Sequence, residues 1–98
     1  MEIIKKADGE ALNIALDGRL DTMTAPQLES EVKESLEGVK ELVFDFEKLD
    51  YVSSAGLRVI LSAQKAMNKQ GSMKILNVNS DIMDVFEITG FAYILTIE

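Results

Sequence analysis

Two adjacent serines, Ser53 and Ser54, occupy the position in this sequence that most favours chemistry. They follow an apolar segment, and the small residues Ala55 and Gly56 come directly after them, at the start of a segment with helical periodicity. A helix N-terminus carries unpaired N–H groups and the positive end of the helix dipole, so it accommodates a phosphate. A phosphoserine would add about −1.5 to −2 charges and block a docking partner. The simpler interpretation, a helix-capping serine, explains the same residues.

The composition argues against most kinds of catalytic site. The chain has no cysteine and no histidine, which excludes thiolate and imidazole metal sites and a Ser-His-Asp triad within the chain. It also lacks the glycine-rich phosphate loops, the nucleophile elbow and the HExxH metal motif. We therefore expect a protein that is not an enzyme and that needs no cofactor and no metal.

The net charge limits the class of partner. With 17 acidic and 10 basic residues, the 98-residue chain carries a charge of −7. This charge disfavours nucleic acid and anionic membrane surfaces and favours a basic protein partner. The N-terminus lacks the apolar core of a signal peptide, and no run approaches the roughly 20 apolar residues of a membrane span. The expected location is the cytoplasm.

The elements that must position the serines alternate between strands and helices. Strands are predicted at 2–6, 11–17, 41–46, 73–78 and 92–97, with an Asp-Gly hairpin after the first. Helices are predicted from a Thr24 cap to Gly38, from the serine pair to Gly71, and from Ser80 or Asp81 to Gly90. The order β-β-α-β-α-β-α-β predicts a single α/β domain over residues 1–98, with helices packed on a mixed, mostly parallel sheet. The segment 41–46 is apolar on both faces, which indicates a central strand.

Three stretches resemble one known family. They read YVSSAGLRVIL over 51–61, GRLDTMTA over 18–25 and LVFDF over 42–46. Together with the length and the order of elements, they resemble the STAS domain family over essentially the whole chain, and more narrowly the bacterial anti-sigma factor antagonists. The resemblance implies a single STAS domain that acts by binding.

The resemblance also implies a mechanism called partner switching. The unphosphorylated antagonist binds an anti-sigma factor, which is also a serine kinase of the GHKL type, and so frees the sigma factor. The kinase then phosphorylates a serine of the antagonist, which dissociates, and a PP2C-type phosphatase resets it. Aligning on Gly56-Leu57 places that serine at Ser54. Ser53 stands where the family often has aspartate and is a second candidate.

Further residues are expected near Ser54. Asp21 matches an acid of the family that lies beside the phosphorylation site, where it would hydrogen-bond the free Ser54 hydroxyl or orient the kinase; a turn-forming role is the alternative. Helical spacing places Ala55 and Val59, with Ala63, either in an apolar patch beside Met23 or on the flank of the core. The residues expected to form the partner-binding surface are Asp21, Thr22, Met23, Ser53, Ala55, Gly56, Arg58 and Val59.

Two other functions fit the same resemblance. One is a STAS scaffold subunit of a larger complex, either stressosome-like or associated with a transporter. The other is a nucleotide-binding STAS module, against which the missing phosphate loop argues. The oligomeric state is open at this point.

Overall fold

The computed structural model describes all 98 residues and has four strands and three helices. None of the helices is long and apolar enough to cross a membrane. The elements in chain order are β1 (Glu2–Asp8), β2 (Ala11–Leu20), α1 (Ala25–Ser35), β3 (Glu41–Val52), α2 (Ser54–Asn68), β4 (Ser72–Leu76), α3 (Ser80–Thr89) and a 3-10 turn (Phe91–Tyr93). The predicted order is confirmed from β1 to α3.

The sheet is mixed and its strands follow chain order. β1 pairs antiparallel with β2 through a tight turn in which Gly9 has a φ of 62°, as the Asp-Gly signal predicts. β2, β3 and β4 pair in parallel, so β3 is central, which confirms the prediction from its apolar content. Right-handed crossovers that step across the sheet in one direction place their helices on one face. α1 and α2 therefore lie side by side above the sheet.

Alternation along the strands separates a core face from an open face. Ile14, Phe44 and Ile75 are paired across β2, β3 and β4, and each is at most 1% exposed. They belong to one cluster of 24 buried residues that also includes side chains of all three helices. Val43 is buried outside that cluster, on the opposite face of the sheet. The period-two pattern thus fixes which side chains the helices cover.

The predicted strand over 92–97 is wrong for most of its length. Gly90, in the left-handed region, ends α3, and the chain then makes the 3-10 turn. The Phe91 carbonyl accepts hydrogen bonds from the N–H groups of Ile94 and Leu95, so these groups cannot join a sheet. Only Ile97 reaches the sheet, in a single parallel bridge with Ile75.

β3 is twice as long as predicted, because a bulge lets it continue beyond residue 46. The register changes from Ala15 opposite Asp45 to Asp17 opposite Lys48. The Asp45 carboxylate accepts a hydrogen bond from the Glu47 N–H at 3.0 Å, which satisfies a backbone group at the bulge, and a second from the Asn77 side-chain amide, also at 3.0 Å. As a result β2 and β3 both extend to the edge of the sheet where α2 begins.

The first turn of α2 packs tightly against the end of β2. The Ser53 N–H donates to the Leu20 carbonyl at 2.8 Å. A Cβ atom added to Gly56 would lie 2.6 Å from Cγ of Leu20, which is fully buried. Only glycine allows this approach, and the contact fixes where Ser54 stands.

Gly56→Ala is expected to lower the free energy of unfolding by about 1–3 kcal/mol, because overpacking must displace Leu20. Urea unfolding would measure this loss, with Ser62→Ala, an exposed site on the same helix, as the matched control that changes stability by less than about 0.5 kcal/mol. Alanine favours a helix by up to about 1 kcal/mol over glycine, so a Gly56→Ala variant that is more stable than the wild type would contradict the tight contact.

Candidate functional site

The two serines have different roles at the start of α2. Ser53 is the N-cap residue, with extended backbone angles, and its hydroxyl accepts a hydrogen bond from the Gly56 N–H at 3.3 Å. Ser54 is the first residue of the helix and is exposed. Its hydroxyl makes no hydrogen bond within the protein. The capping interpretation is therefore confirmed for Ser53, and Ser54 is left with a free hydroxyl.

The helix that begins at Ser54 favours an anion at its start. α2 contains no acidic residue anywhere along its length, although the chain as a whole is strongly acidic. Arg58, one turn further along the helix, is exposed. The N–H groups and dipole of the helix add positive partial charge at the same end. A phosphate on Ser54 would therefore meet no like charge from its own helix.

Asp21 organises the loop between β2 and α1. Its Oδ1 atom accepts hydrogen bonds from the N–H groups of Met23 and Thr24, at 3.0 and 3.1 Å. Its Oδ2 atom lies 3.8 Å from Nε of Arg19. The expected hydrogen bond to the Ser54 hydroxyl is absent, so that expectation is wrong. The turn-forming interpretation of Asp21 is confirmed.

Thr24 is the N-cap residue of α1, but the predicted capping by its side chain is wrong, because that side chain makes no capping hydrogen bond. Its hydroxyl donates to the Arg19 carbonyl at 2.8 Å and accepts from the Asp21 N–H at 2.9 Å. The side chain therefore closes the loop back onto β2. At the start of α3 the cap is Asn79, one residue before the predicted Ser80.

The same contacts set the charge of Asp21. Burial alone would raise the pKa of its carboxyl group, but the hydrogen bonds from Thr24 and Met23 and the charge of Arg19 outweigh that effect. They hold the pKa below its ordinary value of 3.8. The carboxylate is thus ionised at neutral pH while it holds the loop.

Two large side chains are exposed on the segments next to the start of α2. Met23, in the loop, is 87% exposed, and Tyr51, near the end of β3, is 42% exposed. The Arg19 guanidinium lies 4.4 Å from the centroid of the Tyr51 ring, a cation–π arrangement. Arg19 and Tyr51 were not predicted as site residues, because their pairing across the sheet depends on two register shifts between β2 and β3.

A groove runs between α1 and α2, away from Ser54. The section beside the serine, with a volume of about 310 Å³, is lined by Thr22, Ala25, Pro26, Glu29, Ala55, Arg58 and Val59. The more distant section, of about 300 Å³, is lined by Glu29, Val32, Lys33, Leu36, Val59, Ser62, Ala63 and Ala66. The two sections share Glu29 and Val59, so the groove is continuous.

Val59 and Ala63 form the floor of this groove and not an exposed patch. Val59 is 5% exposed and Ala63 is 1% exposed, which confirms the flank-of-core interpretation for both. Ala55 is half-buried. The accessible residues around Ser54 are therefore Thr22, Met23 and Arg58. No group of three or more acidic side chains in the structure is arranged to hold a metal ion.

The sequence matches the family model for the STAS domain over residues 2–98. It is 37% identical over 94 residues to BtrV of Bordetella bronchiseptica, provisionally named an anti-sigma factor antagonist, covering 94% of this chain and 80% of that protein. It is 34% identical over 101 residues to the anti-sigma-B factor antagonist of Listeria monocytogenes, covering 97% of this chain and 85% of that protein.

The fold is similar to that of the Bacillus anti-sigma factor antagonist SpoIIAA, at 20% identity. The TM-score is 0.79 for the unphosphorylated form, over 99% of this chain and 87% of that one. It is 0.78 for the phosphorylated form, over 99% and 91%. The match of the family model over residues 2–98, together with the two relatives above 30% identity, shows that this chain belongs to the STAS domain family.

Proposed function

We propose that this chain is an anti-sigma factor antagonist of the bacterial cytoplasm, a binding protein and not an enzyme. Its unphosphorylated form binds an anti-sigma factor and thereby releases a sigma factor. The observation that carries the proposal is the exposed, unbonded Ser54 hydroxyl at the start of α2. The names of the relatives from Bordetella and Listeria support the same function.

Phosphorylation of Ser54 is the proposed switch. The anti-sigma factor, as a GHKL-type serine kinase, transfers the γ-phosphoryl group of ATP to the Ser54 oxygen; ADP leaves, and the hydroxyl proton is released. A PP2C-type phosphatase hydrolyses the ester, which returns the hydroxyl and inorganic phosphate. Ser54 is favoured over Ser53 because the Ser53 hydroxyl is half-buried and caps the helix through Gly56. Modification of Ser53 would alter the side chain that caps the helix, whereas modification of Ser54 would not.

The partner is proposed to dock over the loop and the groove beside Ser54. Met23 supplies an exposed, flexible apolar side chain, and Thr22, Ala55 and Arg58 border the groove. A phosphate placed among these residues would have to lose its hydration when the partner covers it, which is costly. It would also repel any acidic group that the partner directs at Arg58.

The switch is proposed to act by local charge and not by refolding. Ser54 makes no bond that phosphorylation would break, and the helix terminus accommodates the new charge. The structures of SpoIIAA in its two forms support this, since both have nearly the same similarity to this fold. Partner affinity would then change while the free energy of unfolding changes little.

Asp21 is proposed to act on binding through the loop it holds. Its hydrogen bonds to the N–H groups of Met23 and Thr24 fix the backbone that presents Met23. Asp21 itself directs one carboxylate oxygen into the loop and the other towards Arg19. It is therefore a positioning residue for the docking surface.

Incubation with a GHKL-type anti-sigma kinase from the same genome and ATP is expected to add one phosphate to Ser54, seen by intact mass and site mapping. Ser54→Ala is expected to bind the kinase and stay unmodified. Ser54→Asp is expected to bind at least about tenfold more weakly, because it places charge at the docking surface. Titration calorimetry would measure both affinities.

Ser53→Ala is the matched control for that experiment. It should lose about 1 kcal/mol of stability, the usual value of a cap, and should still be phosphorylated on Ser54. A phosphate mapped to Ser53, or equal affinity of the wild type and Ser54→Asp, would contradict the assignment to Ser54.

Asp21→Asn is expected to lower the melting temperature at neutral pH, and this difference should shrink in acid. Because the folded pKa of Asp21 lies below its unfolded value, the stabilisation is present above about pH 4 and is lost as the pH falls through the folded pKa. Melting curves between about pH 7 and pH 2 would measure the difference. Asp50→Asn, at an exposed site outside the loop, is the control. A difference that stays constant down to the lowest pH would contradict the role given to Asp21.

A further inference from the structure

Three large apolar side chains are exposed near the end of α3 and in the turn that follows it, a part of the molecule that the proposed switch does not use. Ile88 is 85% exposed, Tyr93 is 93% exposed and Ile94 is 52% exposed. They make up three of the six large hydrophobic residues that the structure leaves exposed. We name these three residues the C-terminal patch. Clustered exposed apolar side chains of this kind mark interaction sites, whereas single ones do not.

An ordered backbone presents the C-terminal patch. Gly90, with a φ of 82°, ends α3, and the Gly90 N–H donates to the Glu87 carbonyl. The Phe91 carbonyl then accepts from the N–H groups of Ile94 and Leu95, both at 2.9 Å. Leu95 is 6% exposed and belongs to the core. Because this turn is held at both ends, Tyr93 and Ile94 point outward in a fixed geometry.

The charged side chains of α3 and of the segment that follows it have one sign only. Asp84, Glu87 and Glu98 are exposed, and no lysine or arginine follows Lys74 in the chain. None of these three acids takes part in the ion pairs of the structure. Glu87 also lies in the last turn of α3, where the helix dipole disfavours an anion and no basic residue compensates.

We propose that the C-terminal patch is a docking surface for a basic, amphipathic segment of a partner protein, anchored by apolar side chains. The apolar residues would fill the contact, while lysine or arginine would pair with Asp84 and Glu87. A second copy of this chain is disfavoured, because a symmetric contact would bring together two copies of the same acidic surface. An anionic lipid surface is disfavoured by the same charges.

The C-terminal patch and Ser54 lie towards opposite ends of the parallel strands. The Asn79 side chain, at the start of α3, donates to the Leu49 carbonyl near the end of β3, the strand that leads to Ser54. α3 runs back along the sheet from that point for 10 residues, about 15 Å at the usual rise of a helix. A partner on the C-terminal patch could therefore bind at the same time as a partner over Ser54, which makes the proposal independent of the phosphorylation switch.

The test is a titration of the whole protein with a synthetic leucine-lysine amphipathic peptide of about 18 residues, long enough to form a helix. Amide chemical shifts would map the site, and the titration would give the affinity. The expected shifts fall on residues 84–98. A peptide with serine in place of leucine, and the double variant Ile88→Ser with Tyr93→Ser, are each expected to weaken binding at least about tenfold.

Charge variants distinguish binding to a local acidic surface from attraction by the net charge of the protein. Asp84→Lys with Glu87→Lys should weaken binding about tenfold or more, whereas Glu34→Lys with Glu37→Lys, the same charge change near the end of α1, should stay within about twofold. Ser54→Asp should leave the affinity unchanged. Unaltered amide spectra outside the patch would verify that the variants fold.

Three results would overturn the proposal. If the two double charge variants weakened peptide binding equally, the peptide would be attracted by the net charge of the protein alone. Shifts centred on Ser54 or on the groove between α1 and α2 would place the surface elsewhere. A concentration-dependent dimer in sedimentation that Ile88→Ser abolishes would assign the patch to a second copy of this chain.

Discussion

The contact between Leu20 and the first turn of α2 is the constraint on which the rest of the site depends. The missing side chain of Gly56 lets the helix approach the end of β2, and the Ser53 N–H completes the contact at the Leu20 carbonyl. The loop that Asp21 organises begins at the next residue. A single junction therefore fixes both Ser54 and the neighbouring loop with Met23, although the two segments are some thirty residues apart in the sequence.

The polar residues that stabilise the site are different from the serine that is proposed to be modified, so a reversible modification requires no structural change. Ser53 satisfies the helix terminus, and Asp21 satisfies the loop, so neither requires the Ser54 hydroxyl. A capping serine contributes about 1 kcal/mol, and a switch built on it would change stability with every cycle. Ser54 makes no capping hydrogen bond and has no such role in stability. The proposed phosphate would change what the surface binds without changing what holds the fold together.

The sequence was sufficient for the order of elements from β1 to α3, because hydrophobic periodicity and glycines that end helices are local signals. It identified the central position of β3 and the helix that starts at the serine pair. It missed features that depend on tertiary hydrogen bonds. The Asp45 carboxylate supports a bulge beyond which β3 continues to twice its predicted length. Two N–H groups beyond Gly90 are used in a turn and not in a strand. The Arg19–Tyr51 contact could not be predicted for the same reason, because the strand register that pairs these two residues follows from the irregularities between β2 and β3.

The topology also gives the two ends of the sheet different electrostatic properties in a strongly acidic chain. Each of the three helices follows a parallel strand and runs back along the sheet, so all begin at the edge that bears Ser54 and end at the other. Their dipoles therefore add, with the positive ends beside Ser54. Side-chain charge differs between helices and not between their ends: α2 has no acidic residue and carries Lys65 in its last turn, whereas α3 has no basic residue and carries Asp81 in its first turn. The charge of −7 is therefore spread unevenly over the domain, with a basic helix that starts at Ser54 and an acidic helix that leads to the C-terminal patch.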